Sequence, residues 1–201
     1  LLQVIEQTET DLPTLHYYIS LIKQSADKLH STLMGLLEIG VSDRTKLTMQ
    51  SFDVYDCICD VIESLANYPN RDNINITIEY DSPVLFTSSE KLFRSVFQNL
   101  VENSIKYHQY LNNTPFIKIS IKPWRGGIEV TVKDNGEGMN KAILDRAFDM
   151  FYRGNQTSSG SGLGLFIVKS NVEKLGGDLK IKSKPDHGTE VKIYLPSLDK
   201  F

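Results

Sequence analysis

Past Pro69 the apolar residues stop recurring every three to four positions and begin to alternate. Ile74, Ile76, Ile78 and Tyr80 form one such run, and Ile117, Ile119 and Ile121 another. Ile128, Val130 and Val132 follow, then Leu179 and Ile181, then Val191, Ile193 and Leu195. Each run lays its apolar side chains on one face of a pleated strand, so the sheet they build is buried on one side and polar on the other. Trp124-Arg125-Gly126-Gly127 joins two of the runs as a hairpin. Between the runs the helical period returns, predicting helices over 53–66, about 89–111 and about 163–176, the last closed by Gly176-Gly177. Three helices on one face of a mostly antiparallel mixed sheet of about five strands make an α+β fold, a two-layer α/β sandwich.

Ahead of this unit lies a different pattern. Leu15, Ile19, Ile22, Ala26, Leu29, Leu33 and Leu36 are spaced 4, 3, 4, 3, 4, 3, a heptad seam sustained over the 12–39 helix. Pro13 suits its first turn, with Thr10 or Asp11 as cap. Leu1, Val4, Ile5 and Thr8 read as the last turns of a preceding helix, so the pair forms a truncated helical hairpin. One hairpin buries little, and a second copy completing a four-helix bundle is the predicted partner. The alternative is one long amphipathic helix packed on its own domain; the strict 3.5 period favours the homodimer. With 40–47 as a polar break, the chain divides into a partial hairpin, 1–44, and a second domain, 45–201.

Charge is unevenly divided along the 201 residues. Residues 1–80 hold 5 basic and 12 acidic side chains, residues 81–201 hold 17 and 13. The positive second part suits an anionic ligand, without implying nucleic acid. Asp53, Asp56, Asp60 and Glu63 form an acidic stripe on helix 53–66, read as a solvated face. Cys57 and Cys59 are the only cysteines and are poorly placed to bridge each other, which points to a reducing, cytoplasmic setting. No stretch approaches the roughly 18 apolar residues of a membrane span, so no membrane contact is predicted within these residues. Any anchor of a longer parent chain lies outside them.

The chemistry sits in the second part. On helix 89–111, Asn99, Asn103 and Lys106 share one face, with Tyr107 beside them: two neutral oxygen ligands for a hard cation and a positive charge for phosphate. Asp134-Asn135-Gly136-Glu137-Gly138-Met139 follows a strand, where the aspartate can accept from an exocyclic amine and the glycines permit a tight turn. Phe148 and Phe151 can anchor a loop carrying Arg153. Gly160-Ser161-Gly162-Leu163-Gly164-Leu165 then opens a helix, whose free N–H groups and positive dipole end offer an anion site. It is neither a dinucleotide fingerprint nor a P-loop, and HExxH, zinc spacings and GxSxG are all missing.

The order of these pieces resembles the N, G1, F and G2 boxes of bacterial sensor histidine kinases, which share the ATP-binding fold of the gyrase, heat-shock-protein-90, histidine-kinase and MutL superfamily. The resemblance runs over 15–196 and takes in the 188–196 strand and the helical hairpin. It implies a protein-histidine kinase core that binds Mg–ATP and passes the γ-phosphoryl group to a histidine on the dimerisation helix, for relay to a response-regulator receiver aspartate. Asn103 would hold Mg²⁺ with Asn99 in support, Lys106 would approach the phosphates and Tyr107 would pack on the nucleotide. Asp134 would accept the adenine amino proton, Gly136 and Gly138 would shape the pocket and Thr189 would reach adenine through water. Arg153 and the 160–165 segment, including Gly160, Gly162, Leu163, Gly164 and Leu165, would hold phosphates under a lid anchored by Phe148 and Phe151.

Two departures stand out. Ser104 occupies a position where the family often has alanine. None of His16, His30, His108 and His187 is followed by the acidic residue that marks the phospho-accepting histidine. The acceptor is therefore placed upstream of Leu1, and these residues are expected to bind ATP without phosphorylating themselves. The alternatives are a superfamily ATPase or serine kinase, or a scaffold that dimerises without nucleotide.

Overall fold

The computed structural model describes residues 12–42, 48–80, 83–108, 114–154 and 161–197. Helix α1 runs Leu12–Ser42, strand β1 Gln50–Asp53 and helix α2 Val54–Ser64. Strands β2 (Asn75–Tyr80) and β3 (Leu85–Ser88) precede helix α3, Glu90–Lys106. A hairpin of β4 (Phe116–Trp124) and β5 (Gly127–Asp134) leads to a short helix α4, Lys141–Leu144. Helix α5 (Gly164–Lys174) and strands β6 (Asp178–Ser183) and β7 (Thr189–Pro196) complete the order.

The alternating runs become one five-stranded sheet in the order β2-β4-β5-β7-β6. Only β2 and β4 run parallel; the other pairs are antiparallel, giving the mixed sheet that the alternation predicts. Its register puts Ile119 beside Val132 and Val130 beside Ile193, so the apolar rows of three strands line up on one face. Helices α2, α3 and α5 cover that face, and their buried residues, among them Ile58, Val96, Leu100 and Val172, join the strand residues in one core. The opposite face carries Lys118, Ser120, Glu129, Thr131 and Lys192, with ion pairs Lys118–Glu79 (2.7 Å) and Lys192–Glu129 (3.6 Å). The β4–β5 turn is the tight hairpin expected, with Arg125 at φ 45° and Gly126 at φ 77°, the paired positive angles that match strand twist.

Four features differ from the sequence reading. A second, two-stranded sheet pairs β1 with β3; its four-residue strands are too short to reveal a period. Helix α3 ends at Lys106 rather than near 111, because the backbone leaves helical geometry at Tyr107 (φ −102°, ψ 25°), whose N–H makes the last helical bond, to the Asn103 carbonyl. Helix α1 passes through Gly40 to Ser42, so the predicted break starts later. The proposed preceding helix, the hairpin turn and the 44/45 boundary lie outside the described residues. The acidic stripe is exposed at Asp56, Asp60 and Glu63, but Asp53 is half-buried and caps α2 by accepting from the N–H groups of Tyr55 and Asp56. Asp60 meets the Arg94 guanidinium at 2.6 Å. Cys57 and Cys59 are free, and burial pushes the Cys57 thiol up to about 12, leaving it unreactive.

Helix α1 stands apart from the core. Its seam residues Ile19, Ile22, Leu29, Leu33 and Leu36 are 37% to 71% exposed. It meets the rest of the chain at Gly35, where a Cβ would come within 2.5 Å of Leu163 Cδ1. The packed-on-its-own-domain alternative therefore does not account for the seam.

Aromatic rings lock the two-stranded sheet onto α3. Phe93 of α3 is fully buried and packs on Phe97 (4.4 Å between centroids), Phe52 of β1 (5.2 Å) and Phe86 of β3 (6.2 Å). Phe93→Ala is expected to lower unfolding free energy by about 3–5 kcal/mol in urea titrations, the cost of a large core truncation. A loss below about 1 kcal/mol would show that this cluster does not join the layers.

Candidate functional site

One flank of α3, beside its buried row, carries Asn99, Asn103 and Lys106, all half-buried. The Asn99 amide donates to the Ser95 carbonyl at 2.9 Å, which leaves its Oδ1 directed away from the helix. The Ser95 hydroxyl in turn accepts from the buried Asn171 amide of α5 at 2.9 Å, a polar tie between the two helices. Helix α5 begins with Gly164 directly over this row. A Cβ at Gly164 would stand 3.2 Å from Asn99 Oδ1 and 3.3 Å from Asn103 Nδ2, so glycine there lets the helix start approach the two amides closely. The α5 N-terminus, with its dipole, thus faces two amides. The Lys106 Nζ lies 4.9 Å from the Tyr107 ring centre.

Asp134 ends β5 and is held from three directions. Its Oδ1 accepts from the N–H of Gly136 (2.9 Å) and of Thr189 (3.0 Å). Its Oδ2 accepts from the Ser104 hydroxyl of α3 at 2.9 Å. Burial raises the Asp134 carboxyl above its ordinary value, and the three donors pull the other way by favouring the charged form. The loop after it is fixed just as closely. The Glu137 N–H donates to the Tyr107 carbonyl at 2.9 Å, tying the loop to the end of α3. The Met139 N–H donates to Ser183 Oγ at 2.8 Å, and the same hydroxyl donates to the Gly188 carbonyl at 3.0 Å. Gly138 and Gly188 both take positive φ, 63° and 80°, and a side chain on either would collide with a backbone carbonyl, Lys184 or Asp134 respectively.

The segment between α4 and α5 is held by backbone more than by rings. Phe148 is half-buried with the Lys169 ammonium 6.0 Å from its ring centre. Phe151 is 49% exposed and sits at φ 63°, so its side chain is not the anchor that its spacing predicts. Its N–H donates instead to the Gly162 carbonyl at 3.1 Å. Arg153 is half-buried on the same segment. Leu163 is buried against Gly35, and Leu165 packs at the edge of the core. Gly160 lies outside the described residues.

A groove of about 670 Å³ opens between α1, α3 and α5, with Lys91, Arg94, Gln98, Asn99 and Gly164 along it. It shares Asn99 and Gly164 with the amide row and does not reach Asp134. Among the described residues no three His, Cys, Asp or Glu side chains stand close enough to hold a metal ion. The oxygen donors available for a hard cation are the Asn99 and Asn103 amides, which suit a Mg²⁺ that takes its remaining ligands from phosphate and water. Also among the described residues, no helix is long and apolar enough to cross a membrane.

Sequence reasoning named Asn99, Asn103, Asp134, Gly164 and Thr189, met Ser104 only as a departure from the family pattern, and missed Ser183 and Asn171. These last three are ordinary helix and strand residues by pattern, and only long-range pairing gives them partners.

The environment of Asp134 has a thermodynamic consequence. The folded chain holds the Asp134 proton more tightly than the unfolded chain. This contribution is therefore most favourable below the ordinary aspartate range and is lost as pH rises through the raised value. Asp134→Asn keeps the shape and removes the charge. Its Tm near neutral pH is expected at or above that of the parent, with the difference shrinking on acidification. A variant that melts well below the parent at neutral pH contradicts this.

Residues 88–199 match the family model for histidine kinase-, DNA gyrase B-, and HSP90-like ATPases. Sensor protein RprX of Bacteroides fragilis is 30% identical over 197 residues, covering 92% of this chain and 37% of that protein. The swarming motility regulation sensor protein RssA of Serratia marcescens is 27% identical over 201 residues, covering 98% of this chain and 41% of that protein. The chain thus spans about two fifths of the length of these curated relatives. Full-length ShkA in complex with AMPPNP superposes with a TM-score of 0.74 at 21% identity, over 96% of this chain and 40% of that one. Acinetobacter baumannii histidine kinase AdeS gives 0.69 at 16% identity, over 98% and 90%. With the fold, the order of the four motifs and the family match in agreement, the chain belongs to the histidine kinase-, DNA gyrase B-, and HSP90-like ATPases and has the catalytic-domain fold of the sensor histidine kinases.

Proposed function

We propose that this chain is the ATP-binding catalytic part of a sensor histidine kinase. It binds Mg–ATP and delivers the γ-phosphoryl group to a histidine on the dimerisation helix, from which a response-regulator receiver domain takes it. The observation that carries this reading is the Asp134 carboxylate, fixed through Oδ1 and Ser104 with acceptor capacity left on Oδ2. That arrangement suits the amino group of adenine, and Thr189 stands beside it to reach the base through water. Gly136 and Gly138 keep the loop close to the base.

The phosphates fall to the other half of the site. The N–H groups at Gly162, Leu163 and Gly164, the dipole of α5, Lys106 and Arg153 supply positive potential. Asn103, with Asn99 behind it, is the ligand for Mg²⁺, which when bound neutralises charge on the phosphates. Tyr107 packs on the nucleotide, and Phe148 with the Phe151 backbone holds the segment over it. Phosphoryl transfer asks the protein for position and electrostatics more than for a nucleophile, and this inventory is of that kind. The exposed seam of α1 is the surface for a second copy of the chain.

The test is label transfer. With the chain joined to a dimerisation helix that carries a phospho-accepting histidine, γ-labelled ATP should yield acid-labile label on that helix, and the present residues alone should bind ATP without taking label. ATP binding without any label on the extended chain would favour the superfamily ATPase, and no binding at all the scaffold. Asn103→Asp should change the Mg²⁺ dependence of ATP affinity in calorimetry, and an identical metal titration would remove Asn103 from the metal site.

A further inference from the structure

Ser104 lies on the buried side of α3, directly after Asn103, and is 7% exposed. A helical serine in that setting commonly turns its hydroxyl back to the carbonyl one turn earlier. Here it donates across the site to Asp134 Oδ2 at 2.9 Å. Each carboxylate oxygen offers two lone-pair directions. Oδ1 uses both, on the Gly136 and Thr189 N–H groups. Oδ2 uses one, on Ser104. Among the described residues a single acceptor direction of Asp134 is left over.

We propose that Ser104 is a positioning and specificity-determining residue that orients Asp134 so that one Oδ2 lone pair alone receives the 6-amino group of a purine. The proposal rests on the adenine reading of Asp134 and adds the group that aims it. The backbone donors fix Oδ1 from the loop and from β7, but both lie on one side of the carboxylate. The hydroxyl on α3 fixes the other oxygen, and α3 also carries Asn99 and Asn103. The base-reading and phosphate-reading halves of the site are therefore set by one rigid element. An alanine at this position would leave Oδ2 with two open directions, both available to water, and the preference for an amino group over other purine substituents would weaken.

The measurement is a pair of calorimetric affinities for the purified chain, one for ATP and one for purine riboside triphosphate, which lacks only the 6-amino group. The parent should prefer ATP. Ser104→Ala should lose ATP affinity roughly fivefold to tenfold while holding the analogue within about twofold, so that the preference collapses. Equal losses for both nucleotides leave the preference unchanged; that result would mark Ser104 as structural only and overturn the proposal. Ser104→Cys, a weaker donor of similar shape, should give an intermediate preference and serves if the alanine variant does not fold; a cysteine variant with the full parental preference would equally overturn it. Asp134→Asn separates the two readings. If it erases the preference and Ser104→Ala does not, Ser104 fails and the adenine reading stands. If the parent shows no preference and Asp134→Asn changes nothing, both fail.

Discussion

A carboxylate withdrawn from water has to be given donors, and Asp134 takes its donors from three parts of the chain that are far apart in sequence. The Gly136 N–H belongs to its own loop, the Thr189 N–H to β7 and the Ser104 hydroxyl to α3. Each donor costs little on its own, and leaving any one out would strand charge in a poorly solvated place. The loop can keep this carboxylate only if α3 lies across the sheet at one height and β7 lies in register beside β5. The pairing Val132–Val191 and the buried row of α3 meet those two conditions. The apolar core thus fixes where the polar site can be, and the polar site in turn admits only that register.

A second constraint is the closeness of α5 to α3. Gly164 brings a helix N-terminus onto Asn99 and Asn103, where a Cβ would already be tight against both amides. The buried Asn171 amide on Ser95 holds the same two helices together one face further round. Leu163, next to Gly164, is the residue that Gly35 of α1 receives. One short stretch therefore faces the proposed phosphates on one side and the proposed dimerisation helix on the other.

Most of the fold was legible because it is written in period. The strands β2, β4, β5, β6 and β7 follow from alternation that places Ile119, Val130 and Ile193 on one face, and the helices follow from three-to-four spacing. The β1–β3 pair was not, since four residues carry no period and their pairing depends on Phe52 and Phe86 meeting Phe93. The end of α3 was misplaced because nothing in the spacing beyond Lys106 signals the turn that Tyr107 makes. At the site, Asp134 and the glycines could be found by type and spacing. Ser104 could be seen only as a departure from the family pattern, because its partner is thirty residues away. Phe151 has the spacing of an anchor, but a positive φ turns its ring outward and leaves the work to its N–H.

The central claim is that Asp134 reads the base while the α3 amides and the α5 N-terminus face the phosphates. A crystal structure of the chain with Mg²⁺ and a non-hydrolysable ATP analogue tests it most directly. The account predicts the adenine amino nitrogen within hydrogen-bond distance of Asp134 Oδ2, the metal on Asn103 Oδ1 and the phosphates at Gly162, Leu163 and Gly164. A nucleotide whose base lies away from Asp134, or whose phosphates leave the α5 N-terminus empty, would contradict it.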